Sequence, residues 1–199
     1  SSTSRGLGDV YKRQVPHALF MLVAFLVTLS TQVWADGRDI LKDAIKEVDA
    51  NVVFLRHAMA PGFGDPDNFS LLDCSTQRNL NENGRKQARA IGFSINKSGV
   101  RFNEIISSDW CRCKETAELL NIGKWQTFLG LNSFFQAYAE RAVTLRELDL
   151  KLKKLKNGVT LMITHQVVIS AVTGISVTSG EMVAYNSVSE AKKVFRLDK

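Results

Sequence analysis

The chain has 199 residues, 45% hydrophobic and 23% charged, the balance of a folded globular protein and not of a disordered or fibrous one. Its length allows one ordinary domain plus a short leader. Residues 1–35 hold three basic residues (Arg5, Lys12, Arg13) and one acid (Asp9), so part of the formal net charge of +6 belongs to the front, and the remaining mild excess forces no nucleic-acid partner.

Taken in chain order, residues 1–14 show no apolar periodicity, and their end, Asp9-Val10-Tyr11-Lys12-Arg13-Gln14, resembles the translation of a sequencing adaptor. They are expected to be no part of the fold. Residues 18–29 form an apolar run too short to span a bilayer comfortably, and Val33-Trp34-Ala35 follows with small or compact residues at a cleavage-site spacing. The reading is a signal peptide over 15–35, cut after Ala35, with residues 36–199 as a single domain and no membrane span left after cleavage. Export implies an oxidising compartment. Three cysteines remain, so at most one internal bridge forms, and Cys74 with Cys111 or Cys113 fits better than the very small Cys111–Cys113 ring.

Within the domain, Ile40, Leu41, Ala44, Ile45 and Val48 give one face of a short amphipathic helix. Residues 51–55 read as a buried strand ending in Arg56-His57, followed by a loop rich in Gly, Pro, Asp and Asn. A helix over 85–97, a strand over 103–108 and a helix over 111–120 come next. After an ill-defined stretch, the pattern predicts a long helix over 139–156 and a third buried strand over 159–164 ending in Thr164-His165. A short helix through 168–172 and one or two edge strands near 193–197 complete the chain. Alternation of helices with near-continuous apolar strands predicts a three-layer α/β/α sandwich with a mainly parallel central sheet.

In such sheets ligands bind beyond the carboxyl ends of the strands. Three strands end in functional side chains here: Arg56-His57, Ser107-Ser108 leading to Arg112, and Thr164-His165. Each is weak alone, but together they bring two histidines and two arginines to one rim. Leu55-Arg56-His57-Ala58 resembles the Arg-His-Gly signature of the histidine phosphatase superfamily, with Ala in the glycine place. Thr76-Gln77-Arg78-Asn79-Leu80 with Gly84 and Gln87-Ala88, the run from Ser107 to Ala117, and Ile163-Thr164-His165 resemble its further motifs in order.

The resemblance implies the phosphoglycerate mutase-like fold and a phosphohistidine mechanism, and the expected signal peptide implies that it acts in the periplasm. His57 would attack phosphorus, Arg56 and Arg112 would clamp the phosphoryl oxygens, and His165 would donate to them as charge builds. Arg56, Arg112 and His165 would then bind substrate as well as act in catalysis. No metal or other cofactor is called for, because the clamp is already cationic. Substrates would be phosphorylated small molecules, glycolipid head groups or phosphoproteins; the chain also resembles small bacterial phosphohistidine phosphatases and, more loosely, periplasmic phosphatases of lipopolysaccharide-core heptose. Arg78 could contact phosphate or hold the start of a helix, and Trp110 could line the mouth or pack at the strand end. The Gly62-x-Gly64 loop is read as a chain passing beside the site.

The chain departs from the pattern at the general acid. Residues 129–135 contain none, and Gln166 stands where one branch has an acid after the second histidine. Asp73 and Glu140 are the loop acids that could reach the site. A phosphate-binding member that kept the clamp and lost its acid is the alternative.

Overall fold

The computed structural model describes residues 39–155 and 157–198. The expected leader and signal peptide lie outside the described residues. Among the described residues no helix is long and apolar enough to cross a membrane.

Helix α1 (Ile40–Glu47) starts at Asp39, whose side chain accepts the Lys42 amide at 3.2 Å. It leads into β1 (Val52–Arg56), whose first four residues are fully buried. Helix α2 (Glu82–Ser98) begins at Asn81, whose side chain accepts the Gly84 amide at 2.8 Å, an N-cap that satisfies one free donor of the first turn. Then come β2 (Glu104–Ser107), α3 (Cys111–Leu120), β3 (Gln126–Thr127), α4 (Arg141–Leu152), β4 (Thr160–Thr164), α5 (Gln166–Thr173), β5 (Met182–Tyr185) and β6 (Lys192–Phe195).

The six strands form one sheet in the order β3-β2-β4-β1-β5-β6. The pairs β1–β4, β2–β4 and β2–β3 are parallel, while β1–β5 and β5–β6 are antiparallel. Only β5 of the six therefore runs against the others, in line with the expected mainly parallel sheet. The expectation that the tail adds only edge strands is corrected: β5 lies inside the sheet, bonded to β1 on one side and β6 on the other. The edge strand β3 has no counterpart in the sequence reading.

Side chains alternate across each strand, so the two faces of the sheet own different residues. Val53, Leu55, Ile105, Leu161 and Ile163 pack with Leu41 of α1, Ile91 and Ile95 of α2 and Ala117 and Leu120 of α3. Val52, Phe54, Ile106 and Met162 pack on the other face with Leu148 of α4 and Val168 and Ile169 of α5. Two apolar layers thus hold helices on both faces, the three-layer arrangement expected of buried parallel strands. The helix after β1 goes to one face and the helix after β4 to the other. The adjacent carboxyl ends of β1 and β4 are therefore a topological switch point, where a crevice opens.

Candidate active site

Register brings the functional side chains together. Arg56 pairs with Thr164 across β1 and β4, and Ser107 pairs with Ile163 across β2 and β4. The residue after each strand continues the ladder: the His57 amide donates to Thr164 at 2.9 Å and the Ser108 amide to Ile163 at 2.9 Å. His57, Ser108 and His165 consequently leave three neighbouring strands side by side. Arg112 joins them from the first turn of α3. The four residues singled out from sequence, Arg56, His57, Arg112 and His165, line one cavity of about 280 Å³.

His57 is almost wholly buried. Its Nδ1 lies 2.7 Å from the Ala58 carbonyl oxygen, which can only accept, so Nδ1 carries the proton and Nε2 keeps the lone pair. Burial first, and then the Arg112 guanidinium, hold the imidazole well below its ordinary pKa. His57 is therefore neutral, with its nucleophilic nitrogen fixed in direction.

Arg112 connects both imidazoles. Its Nε donates to His57 Nε2 at 3.2 Å and its Nη2 to His165 Nδ1 at 3.4 Å. The side chain is buried against Asp65, whose carboxylate accepts from Nη1 at 2.7 Å. Asp65 also accepts the Arg78 amide at 3.0 Å and the Trp110 indole at 3.1 Å. Burial pushes the Asp65 carboxyl up, but the hydrogen bond and charge of Arg112, with these two further donors, outweigh it and the net direction is down.

With Nδ1 accepting from Arg112, His165 carries its proton on Nε2 and donates to Ser108 Oγ at 2.9 Å. Ser108 passes its own proton to Asn132 Oδ1 at 3.1 Å, and Asn132 Nδ2 donates to Asp109 at 2.8 Å. The chain of partners fixes the tautomer and the ring plane of His165. Burial and then Arg112 also depress its pKa well below the ordinary value. Burial pushes the nearby Cys113 thiol up to about 12, which leaves it an inert packing group. Arg56 Nη1 donates to the Val177 carbonyl at 2.6 Å, while its Nε is buried without a partner among the described residues.

Arg78 lines the cavity and also holds the loop beside it, donating to the carbonyls of Gly64 at 2.9 Å and of Ala60. Trp110 does not line the mouth. It is 1% exposed, stacks on Phe69 and meets the His165 ring edge-on. Asp73 and Glu140 do not reach the site: Asp73 caps a short 3-10 turn at Cys74–Thr76, and Glu140 precedes α4. Gln166 does line the cavity, with its amide donated to Ser176 at 2.7 Å. Among the described residues no Asp or Glu lines the cavity, and no group of three or more His, Cys, Asp or Glu side chains is placed to hold a metal ion. Cys74 is bonded to Cys111, which ties the loop before α2 to the residue preceding Arg112.

The profile of the histidine phosphatase superfamily (branch 1) matches residues 52–128, a span that carries Arg56, His57 and Arg112. The matched span is 77 of the 199 residues, and there the chain is similar to that superfamily. Its fold is that of solved structures that include a mycobacterial glucosyl-3-phosphoglycerate phosphatase, 15% identical over 75% of this chain and 98% of that one, with a TM-score of 0.50. A protein from Escherichia coli provisionally assigned as an alpha-ribazole-5'-P phosphatase is 15% identical over 74% of this chain and 95% of that one, at 0.51. The protein histidine phosphatase SixA, solved with tungstate, is 16% identical over 72% of this chain and 93% of that one, at 0.49. No curated protein matches the chain by sequence. Against the signature of that superfamily, the chain has Ala58 in the glycine place and Gln166 after the second histidine.

Proposed function

We propose that the chain is a periplasmic, metal-independent phosphatase that hydrolyses phosphoryl compounds through a phosphohistidine on His57. The observation that carries this reading is the state of His57: neutral, with Nδ1 held by the Ala58 carbonyl and Nε2 directed at Arg112. A substrate phosphoryl group takes the place of Arg112 in front of Nε2, which attacks phosphorus in line as the bond from phosphorus to the leaving oxygen breaks and its electron pair departs on that oxygen. Arg112 and Arg56 then hold the equatorial oxygens, and Arg56 Nε, which has no partner among the described residues, is one donor for them. His165 is kept neutral by burial and then by Arg112, and an entering dianion offsets the second of these. His165 takes a proton from solvent water on Nδ1 and adds a further donor to the transition state. Water then hydrolyses the P–N bond and restores His57.

The Cys74–Cys111 disulfide supports an oxidising compartment, and the expected signal peptide supports the periplasm. Two structures of this fold are described as phosphatases, which supports hydrolysis. Phosphorylated small molecules, glycolipid head groups and phosphoproteins are the substrates such a location offers. The lack of a lining carboxylate among the described residues favours one second reading, a phospholigand binder of the same fold. Phosphate release from p-nitrophenyl phosphate in the presence of EDTA, compared with the His57→Ala variant, separates the two. Turnover that vanishes in the variant supports the enzyme. A well-folded protein that binds phosphate but neither turns over substrate nor is phosphorylated is the binder.

A further inference from the structure

The cavity mouth carries two aromatic rings that the phosphoryl chemistry does not use. Phe63 is 90% exposed and Phe135 38% exposed, and both line the cavity beside His57 and His165. Their rings meet edge-to-face with centroids 5.1 Å apart. Singly exposed apolar side chains are ordinary, but these two rings touch one another and stand together at the rim of a cationic cavity.

The loop is built to hold Phe63 there. Gly62 and Gly64, on either side, have φ of +95° and +72°, a conformation other residues avoid. Beyond Gly64, Gln136 clamps Asp65 from the opposite loop: its side-chain carbonyl accepts the Asp65 amide at 2.7 Å and its amide group donates to the Asp65 carbonyl at 3.2 Å. Gln136 itself adopts φ of +60°, uncommon for a residue other than glycine. The two loops that bear Phe63 and Phe135 are thus tied across the mouth, and the rings sit in fixed relation to the arginines and histidines below.

Resting on the phosphatase reading above, we infer that Phe63 and Phe135 form a subsite for the leaving group, and that the preferred substrates are phosphate monoesters of phenols. Two independent features select this class. The rings offer edge and face contacts to a planar aromatic group. Among the described residues the cavity has no lining carboxylate to protonate a departing oxygen, and a phenolate, whose acid has a pKa of about 10, leaves without that help far better than an alkoxide, about as basic as hydroxide from water at about 15.7. In the step, the bond from His57 Nε2 to phosphorus forms as the bond from phosphorus to the aryl oxygen breaks. The electron pair leaves on the phenolate, which takes its proton from water. A second water cleaves the P–N bond and releases inorganic phosphate.

The experiment compares kcat/KM for phenyl phosphate, acetyl phosphate and glycerol 2-phosphate in the full chain and in Phe63→Ala and Phe63→Tyr. Phenyl phosphate is expected to exceed glycerol 2-phosphate by about a hundredfold or more, the scale of a missing general acid. Phe63→Ala should lower the ratio of phenyl to acetyl phosphate by about two- to tenfold, and Phe63→Tyr should restore it to within about twofold. A phenyl-to-acetyl ratio unmoved by Phe63→Ala, or glycerol 2-phosphate used as well as phenyl phosphate, overturns the subsite while leaving the phosphatase standing. Turnover of none of the three by the unaltered protein overturns both.

Discussion

Asp65 holds Arg112 in place: the two side chains are buried together, with Nη1 2.7 Å from Oδ1, and Arg112 then reaches both histidines. Three parts of the chain meet at this carboxylate, since it also accepts the amide of Arg78 and the indole of Trp110. The pair therefore sets the position of the guanidinium relative to His57, and its loss should be felt in both stability and rate.

Asp65→Asn keeps the shape and removes the charge, leaving Arg112 buried and unpaired. Breaking a buried ion pair from one side costs about 3–5 kcal/mol. A stability loss of about 3 kcal/mol is expected from urea unfolding. In the folded fraction, kcat for acetyl phosphate should fall by about a hundredfold, with KM less affected, because the misplaced group acts on the transition state. A loss under about 1 kcal/mol with unaltered kcat would show that Arg112 is held by its other partners.

The buried histidines give stability a defined pH dependence. Both are held neutral in the fold, while in the unfolded chain they take up protons below about pH 6.5. Below that value the unfolded state binds more protons than the native state, so stability falls as pH falls. Asp65 adds a second decline at lower pH, because its depressed carboxyl stabilises the fold above the ordinary carboxylate range and stops doing so as pH drops through the folded value. Urea midpoints measured from about pH 7 to about pH 5 should decrease, and the decrease should flatten in a His57→Asn, His165→Asn double variant. An equal slope in both proteins would place the titration elsewhere.

Gly84 lies in the first turn of α2, where alanine would ordinarily gain about 1 kcal/mol over glycine. Here an added Cβ would stand 2.0 Å from the Met59 carbonyl oxygen, in the backbone just past His57. Overpacking against backbone costs about 1–3 kcal/mol, so the sign reverses. Gly84→Ala is expected to lower stability by about 2 kcal/mol and to slow phosphoryl transfer by displacing the segment after His57. A stabilised variant would mean that α2 and this segment move apart at little cost.

The site's four central residues were legible in the sequence because each ends a buried strand or begins the helix that follows one. Continuous apolar runs such as Val52-Val53-Phe54-Leu55 and Leu161-Met162-Ile163 mark strands covered on both faces, and the polar residues after them fall at the sheet's carboxyl rim. The run Met182-Val183-Ala184-Tyr185 has the same character and could have been read as an inner strand, but it lies in a tail that invites an edge assignment. Strand β3 has no apolar pattern: Gln126 and Thr127 are both exposed, and only pairing with Ile106 and Ser107 makes them a strand. Asp65 was not legible. It stands between Gly64 and Pro66, with Asp67 close by, and nothing local distinguishes the acid that is buried on Arg112 from one that is solvated. Trp110 presented two roles from sequence, and the Asp65 hydrogen bond with Phe69 stacking decides for the interior one.

The central claim is that His57 Nε2 takes a phosphoryl group without a metal. The most direct measurement incubates the chain from Asp36 with acetyl phosphate and EDTA, quenches in alkali, and reads the intact mass and the modified peptide. One acid-labile phosphoryl group on His57, absent from His57→Ala, is the expected result. A folded, phosphate-binding protein that carries no adduct, or an adduct that persists in His57→Ala, would contradict it.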